Sequence, residues 1–261
     1  MRKLAGLVVA GVVCMAMQVS AQTPAQAPAQ SKPSTAPKAG TATHSGTATA
    51  RPYDRMLLRP VLLKDKAPET YQVKLSTTRG DFTLTVTRAW APLGADRFYN
   101  LVKHHFYDNA TVFRVVPNFV AQFGLSAYPP VSAAWKNANL TDDPVTQSNK
   151  KGYITFATAG ANTRTTQVFI NLVDNARLDR LGFAPFGQVT DGMNAVELFY
   201  DQYGDTSGPD QDQIEKQGKP YLDKGWAKLD IIKSATLIGE PAVPVVKKAP
   251  VAKTATAPKN P

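Results

Sequence analysis

Apolar and polar residues alternate strictly near the start of the central region. The run YQVKLSTTRGDFTLTVT, residues 71–87, alternates on both sides of a turn at Thr78-Arg79-Gly80. A period of two places one side of a strand in a core and the other side in water. Two such runs joined by a short turn that contains glycine predict a β-hairpin.

The spacing of apolar residues becomes helical at two separate places. Apolar residues recur at helical spacing from Leu93 to Val102, directly after Pro92, a residue that suits the first turn of a helix. A second helical pattern follows Asp191-Gly192 and extends from Met193 to Tyr203. Most other apolar runs are short, and the last is the alternating LDIIKSATLI, residues 229–238. Many short strands with two separated helices predict a mainly β fold, a closed β-barrel with helices over its ends.

A proline interrupts one of the β-like runs. In FRVVPNFVAQFG, residues 113–124, Pro117 lacks the N–H group that a central ladder position requires. The pattern therefore predicts two short strands hinged at Pro117. Arg114 and Gln122 have the same parity along the run, so an extended chain directs both side chains to one face. This predicts a guanidinium and an amide side by side, next to apolar residues.

Two segments of the central region are mainly polar. Residues 125–150, which contain three prolines, predict a long loop, and residues 204–227 predict a polar insertion. Between them lie three short apolar runs that predict strands. These runs are GYITFA at 152–157, QVFINL at 167–172 and FGQVT at 186–190.

The N-terminal residues 1–21 have the features of a secretory signal. Arg2 and Lys3 precede a short apolar run, and Val19-Ser20-Ala21 form a small-residue cleavage site. The apolar run is too short to span a bilayer. We therefore expect an exported protein, periplasmic or secreted.

The alternative is a lipoprotein modified at Cys14, although the residue before this cysteine is a valine rather than a small residue. Because Cys14 is the only cysteine, the mature chain is expected to contain no disulfide and no cysteine metal site.

Residues 22–66 and 240–261 are predicted to be low-complexity tails around a single domain at 67–239. Residues 22–50 and the C-terminal segment, rich in Ala, Pro, Thr and Lys, cannot bury enough apolar surface to offset the entropy of ordering, so both are predicted to be disordered. The net charge is +10, of which +3 falls on residues 51–239. The folded part therefore lacks the basic patch of a nucleic-acid-binding protein. The tails are expected to contact anionic envelope polymers weakly, and the protein is expected to be monomeric.

From about Tyr71 to Ile238 the chain resembles the cyclophilins, a family of peptidyl-prolyl cis-trans isomerases. The resemblance rests on the first hairpin and three further collinear segments. These are NLVKHHFYDNATVFRVVPNF at 100–119, TTQVFINLVDNARLD at 165–179 and FGQVTDGMNAVE at 186–197. It implies a closed eight-stranded antiparallel β-barrel capped by two α-helices. It also implies rotation of X-Pro bonds in proline-containing polypeptides, with neither a cofactor nor a metal.

The resemblance assigns site residues one by one. The family's arginine and glutamine fall on Arg114 and Gln122, the implied catalytic residues. Substrate binding is assigned to Phe113, Phe119, Val120, Ala157, Thr158, Ala159, Gln167, Phe169, Leu178 and Phe183. The chain departs from the family at Val120 (for Met), Thr158 (for Asn) and Phe183 (for His or Tyr). Arg177 stands where the family often has an aromatic residue on which cyclosporin binding depends, so we expect poor cyclosporin affinity.

The chemistry of X-Pro rotation explains why such residues suffice. Resonance opposes rotation of the bond with a barrier of about 18–20 kcal/mol. In the twisted transition state the proline nitrogen becomes pyramidal and carries a lone pair, so a donor aimed at it acts only at that moment. Arg114 remains protonated and can donate, while Gln122 orients it or binds the substrate carbonyl. The floor that would hold the ring consists of Phe119, Val120, Phe169, Leu178 and Phe183.

Two other functions are compatible with the sequence. The departures at Val120, Thr158, Arg177 and Phe183 allow a proline-peptide-binding chaperone module of cyclophilin shape with little turnover. The Lys/Pro/Ala tails allow an envelope protein tethered to cell-wall polymer. Measured turnover separates the isomerase from both.

Overall fold

The computed structural model describes residues 52–239. The predicted signal, residues 22–51 and the C-terminal tail 240–261 lie outside the described residues. Residues 52–66, predicted as linker, pack against the domain: Leu57 is buried, and its carbonyl accepts a 2.8 Å hydrogen bond from the Trp135 indole Nε1–H. Part of the predicted linker is therefore an integral piece of the fold.

Nine strands and five α-helices make up the regular structure of the described residues. The strands are β1 (Thr70–Thr77), β2 (Gly80–Thr87), β3 (Ala110–Thr111), β4 (Arg114–Val116), β5 (Val120–Phe123), β6 (Tyr153–Phe156), β7 (Val168–Asn171), β8 (Pro185–Asp191) and β9 (Ile231–Leu237). The helices are α1 (Pro92–Lys103), α2 (Pro129–Trp135), α3 (Met193–Glu197), α4 (Gln211–Gln217) and α5 (Lys219–Gly225). Short 3-10 helices add Arg55–Leu58, Pro60–Leu62, Arg88–Trp90 and Ala176–Leu181.

All strands belong to one curled antiparallel sheet with the order β3-β9-β1-β2-β8-β6-β7-β5-β4. The two outermost strands, β3 and β4, are separated by only Val112 and Phe113 in the chain, so both edges of the sheet lie close together. The mainly β, antiparallel fold is thus confirmed. There are nine strands instead of the predicted eight, because the segment 110–116 is divided between two pairing partners. Closure into a barrel stays a prediction.

The predicted hairpin and first helix are confirmed. β1 pairs with β2 from Thr70↔Thr87 to Thr77↔Gly80, and α1 begins at Pro92. α1 buries Phe98, Leu101 and Val102 in the main core. The first N–H groups of α1 are capped by a residue from another part of the chain. The Asp143 carboxylate accepts hydrogen bonds from Leu93 N (2.9 Å) and Gly94 N (2.8 Å).

Three helical predictions need correction. The second predicted helix ends at Glu197 instead of Tyr203. The predicted loop 125–150 contains α2, and the predicted polar insertion 204–227 contains α4 and α5. These short helices are stable because they bury apolar residues on one side, such as Trp135 in α2 and Ile214 in α4. None of the helices between residues 52 and 239 has the length and apolar character needed to cross a membrane.

Candidate functional site

The hairpin of β4 and β5 brings Arg114 and Gln122 together. Pro117 lies in the turn between the two strands, so the predicted hinge is confirmed. The register pairs Arg114 directly with Gln122. The guanidinium Nη1 donates a 3.0 Å hydrogen bond to Gln122 Oε1. The shared face predicted from their parity is therefore present in the structure.

Gln122 continues this contact into a chain of polar side chains. Its Nε2 donates a 2.8 Å hydrogen bond to Oε1 of Gln167, the residue that precedes β7. Gln122 is buried, at 8% exposure, so both ends of its amide have their partners inside the protein. The amide is thereby fixed, and it fixes one side of the Arg114 guanidinium.

An aspartate from the insertion holds the other side of Arg114. Nε of Arg114 donates a 2.6 Å hydrogen bond to Asp205 Oδ1. The Arg114 side chain is 24% exposed, and that of Asp205 is 55% exposed. Within residues 52–239, Nη2 of Arg114 has no hydrogen-bond partner. Sequence reasoning missed Asp205, because 91 positions separate it from Arg114 and no local pattern connects them.

An apolar cluster borders the guanidinium. Its buried members are Val120, Phe169 and Leu178, and its partly exposed members are Phe119, Ala157 and Phe183. The rings of Phe169 and Phe183 meet edge to face with centroids 5.7 Å apart. Cζ of Arg114 lies 5.8 Å from the centroid of Phe119. The structure thus brings the whole predicted floor together, beside the predicted donor.

Phe113 is a predicted binding residue that packs in a different apolar cluster. It is 2% exposed and packs with Leu125, Leu229 and the insertion residues Ile214 and Leu222. Adjacent residues of an extended segment point to opposite sides, so neighbouring Arg114 in sequence does not place Phe113 beside the guanidinium. Its position makes it a support for the insertion.

The predicted rim, Ala157 to Ala159, lies beside the polar chain. Together with Gln122 and Gln167 it lines a cavity of about 250 Å³. Thr163, Thr165 and the insertion residue Gln211 complete the lining. The Thr158 hydroxyl bonds within its own loop, to Gly160 O and Thr163 Oγ1, instead of facing the apolar cluster.

Arg177 stacks on the outer part of the apolar cluster. Its Cζ lies 4.6 Å from the centroid of Phe119, in cation–π contact, and the residue is exposed. Phe119 is therefore flanked by two guanidinium groups, those of Arg177 and Arg114. This arrangement places a charged, hydrated group at the edge of the cluster, where the resemblance implied an aromatic ring.

A network of polar residues stabilises the backbone next to two members of the apolar cluster, Leu178 and Phe183. Asn149 Nδ2 donates 2.8 Å hydrogen bonds to Asp179 Oδ1 and to the Phe183 carbonyl. Burial raises the pKa of Asp179, but hydrogen bonds from Ser148 Oγ and from Asn149 outweigh it, and the pKa lies below its ordinary value. The ionised carboxylate therefore anchors the turn that carries Leu178, next to the backbone of Phe183.

The arrangement places an apolar surface next to a hydrogen-bond donor. Phe169 and its neighbours offer an apolar surface, and the Arg114 guanidinium is fixed at two atoms while its Nη2 has no hydrogen-bond partner among residues 52–239. Across residues 52–239, no group of three or more His, Cys, Asp or Glu side chains is arranged to hold a metal ion.

Comparison with known proteins gives one family. Residues 72–219 match the family model described as "Cyclophilin type peptidyl-prolyl cis-trans isomerase/CLD". The chain is 30% identical to peptidyl-prolyl cis-trans isomerase A of Dickeya dadantii over 163 residues, which are 58% of this chain and 82% of that protein. It is 29% identical to a peptidyl-prolyl cis-trans isomerase of Acinetobacter baylyi over 147 residues, which are 54% of this chain and 78% of that protein.

The fold has a counterpart among solved structures. The crystal structure of a cyclophilin type peptidyl-prolyl cis-trans isomerase from Cryptosporidium parvum superposes with a TM-score of 0.50 at 19% sequence identity. The superposition covers 66% of this chain and 99% of that one.

Proposed function

Because the chain belongs to the cyclophilin-type peptidyl-prolyl cis-trans isomerase family and isomerises X-Pro bonds, we propose that Arg114 is its transition-state donor. We also propose that its substrates are proline-containing segments of exported proteins. The observation that carries the first proposal is the guanidinium of Arg114, fixed at two nitrogens beside an apolar cluster.

Each part of the site has a distinct task in this mechanism. Phe169 and Leu178 hold the proline ring and exclude water from it. As the C–N bond twists, the proline nitrogen gains a lone pair, and an N–H of Arg114 donates to it. This interaction exists only in the transition state, so it lowers the barrier without tightening the ground state. No bond to the protein is formed or broken.

Gln122 acts through Arg114 in this proposal. Its Oε1 accepts from Nη1 while its Nε2 is engaged by Gln167, so the amide cannot rotate freely. Of the two roles predicted for Gln122, orienting Arg114 has direct support from these contacts. Binding of the substrate carbonyl stays a prediction.

Exchange spectroscopy on a short Ala-Pro peptide tests the activity. NMR exchange cross-peaks report the cis-trans rate at equilibrium and need no coupled reaction. We expect catalytic amounts of the protein to accelerate exchange. An exchange rate unchanged by the protein, with the peptide nevertheless bound, would favour a binding module instead.

We propose that the isomerase acts outside the cytoplasm. The proposal rests on the basic-apolar-small pattern of residues 1–21, which lie outside the described part of the structure. Cell fractionation combined with the mass of the mature N-terminus tests it. Cleavage after Ala21 would support a soluble exported form, whereas a lipid-modified N-terminus at Cys14 would support the lipoprotein alternative.

Cyclosporin is expected to bind weakly, with a dissociation constant above about 1 µM. The reason is Arg177, whose exposed charge would have to lose water where the family often offers an aromatic surface. Arg177→Trp should therefore increase affinity about tenfold or more, measured by calorimetry. Arg180→Trp, an exposed position on the same turn, is the matched control and should not increase it. Sub-micromolar affinity of the unmodified protein would contradict the prediction.

A further inference from the structure

The insertion contributes a charged residue to the site. Asp205 lies just before α4, and its Oδ1 accepts the 2.6 Å hydrogen bond from Nε of Arg114. The contact joins the proposed catalytic group to a segment that the sequence predicts only as a polar insertion. Asp205 is not among the residues that the resemblance to the family assigns.

The loop that carries Asp205 is held in place by its neighbours. The Ser207 carbonyl accepts a hydrogen bond from Trp226 Nε1 at 3.4 Å, and Ser207 N donates to Tyr203 O at 3.2 Å. Tyr200 N, at the beginning of this segment, donates to Asp230 Oδ2 at 2.6 Å. The loop therefore has contacts on both sides of Asp205.

The body of the insertion is anchored next to Arg114. Ile214 of α4 and Leu222 of α5 pack with Phe113, the residue that precedes Arg114 in the chain. Lys136, which follows α2, pairs with Glu215 of α4 at 2.9 Å. The packing around Phe113 and the Lys136–Glu215 ion pair fix the insertion relative to β4. The carboxylate of Asp205 therefore reaches Nε of Arg114 from a defined position.

We infer that Asp205, which the insertion supplies, is a positioning residue for Arg114. The inference rests on the proposed function of Arg114. Asp205 is not expected to touch the substrate. It acts by restricting the orientation of the guanidinium that does.

The geometry explains how two partners orient one planar group. Asp205 holds Nε and Gln122 holds Nη1, so rotation of the guanidinium about its terminal bonds breaks at least one hydrogen bond. Nη2 remains available to donate. A donor that is already oriented needs no reorganisation when the nitrogen lone pair develops, which is the condition under which such donors are most effective.

The test compares three substitutions at Asp205 with one elsewhere in the insertion. Asp205→Ala is expected to lower kcat about fivefold, as expected for the loss of a partly exposed charged contact. Asp205→Asn should lower it less, because the amide oxygen can still accept a hydrogen bond from Nε. Asp205→Glu should retain most of the activity. Asp223→Asn removes the same charge at a similar exposure from an ion pair with Lys219 and should leave the rate unchanged.

Two further readouts separate positioning from a purely structural role. The peptide dissociation constant and the thermal midpoint should stay at their wild-type values in Asp205→Ala, which removes the acceptor. The ¹H–¹⁵N resonance of the Arg114 Nε–H group should move to the position of a solvent-exposed arginine. A merely structural role would lower the midpoint together with the rate.

The outcomes distinguish this inference from the proposed function. If Arg114→Ala abolishes acceleration but Asp205→Ala matches the wild-type kcat, Asp205 has no positioning role and only the inference is overturned. A kcat above the wild-type value in Asp205→Ala would also overturn it, since the contact would then slow the reaction. If Arg114→Ala itself retains full activity, the proposed mechanism fails first.

Discussion

Arg114→Ala should lower kcat/KM for X-Pro isomerisation by about 10²- to 10³-fold, the loss typical of removing one oriented transition-state donor. Alanine removes the guanidinium N–H groups of Arg114, while the apolar cluster built around Phe169 is untouched. Peptide affinity should therefore change little, and the loss should appear in kcat. NMR exchange on an Ala-Pro peptide measures kcat and the peptide affinity.

Arg114→Lys and Arg180→Ala make the result specific. Lysine keeps the charge but lacks the planar fork, so it cannot contact Asp205 and Gln122 and still present a third nitrogen. We expect an activity between those of the wild type and Arg114→Ala. Arg180→Ala removes one exposed positive charge near the site and should have wild-type activity. An Arg114→Ala variant within twofold of the wild type would refute the donor role.

Local periodicity predicted the elements whose physics is local. The β1–β2 hairpin follows from alternation around Gly80, and the shared face of Arg114 and Gln122 follows from parity. The beginning of α1 follows from Pro92 and the apolar spacing behind it. In each case one short stretch of chain contains all the information, because the side-chain directions are set by the backbone repeat.

The insertion was the part that local pattern could not describe. α4 and α5 have seven residues each, a length at which a helix depends on tertiary packing more than on its own sequence. Their packing partner is Phe113, about a hundred positions earlier in the chain. The resemblance to the family had assigned Phe113 to the binding site, and the sequence contained no signal for Asp205, whose role depends entirely on where the insertion docks.

Asp143→Ala should lower the free energy of unfolding by about 3–5 kcal/mol, the usual cost of removing one partner from a buried ion pair. The Asp143 carboxylate is 3% exposed and lies 3.1 Å from Nη1 of Arg164, which is 4% exposed. It also accepts from Leu93 N and Gly94 N at the start of α1. The substitution leaves a buried guanidinium under-compensated and two helix N–H groups without an acceptor. Denaturant unfolding measures the loss.

Asp142→Ala is the matched control for this prediction, because it removes the neighbouring carboxylate. Asp142 lies 3.2 Å from Nε of the same Arg164, but its side chain is 34% exposed and water can replace it. Its loss should cost under about 1 kcal/mol. Asp143→Asn should lie between the two variants, since the amide oxygen still accepts from one helix N–H. Equal losses in Asp142→Ala and Asp143→Ala would mean that burial does not set the strength of this pair. Asp143 and Arg164 join the start of α1 to the loop after Ala159, at the rim of the active site. A large loss of unfolding free energy in Asp143→Ala would therefore show that contacts near this rim contribute to global stability.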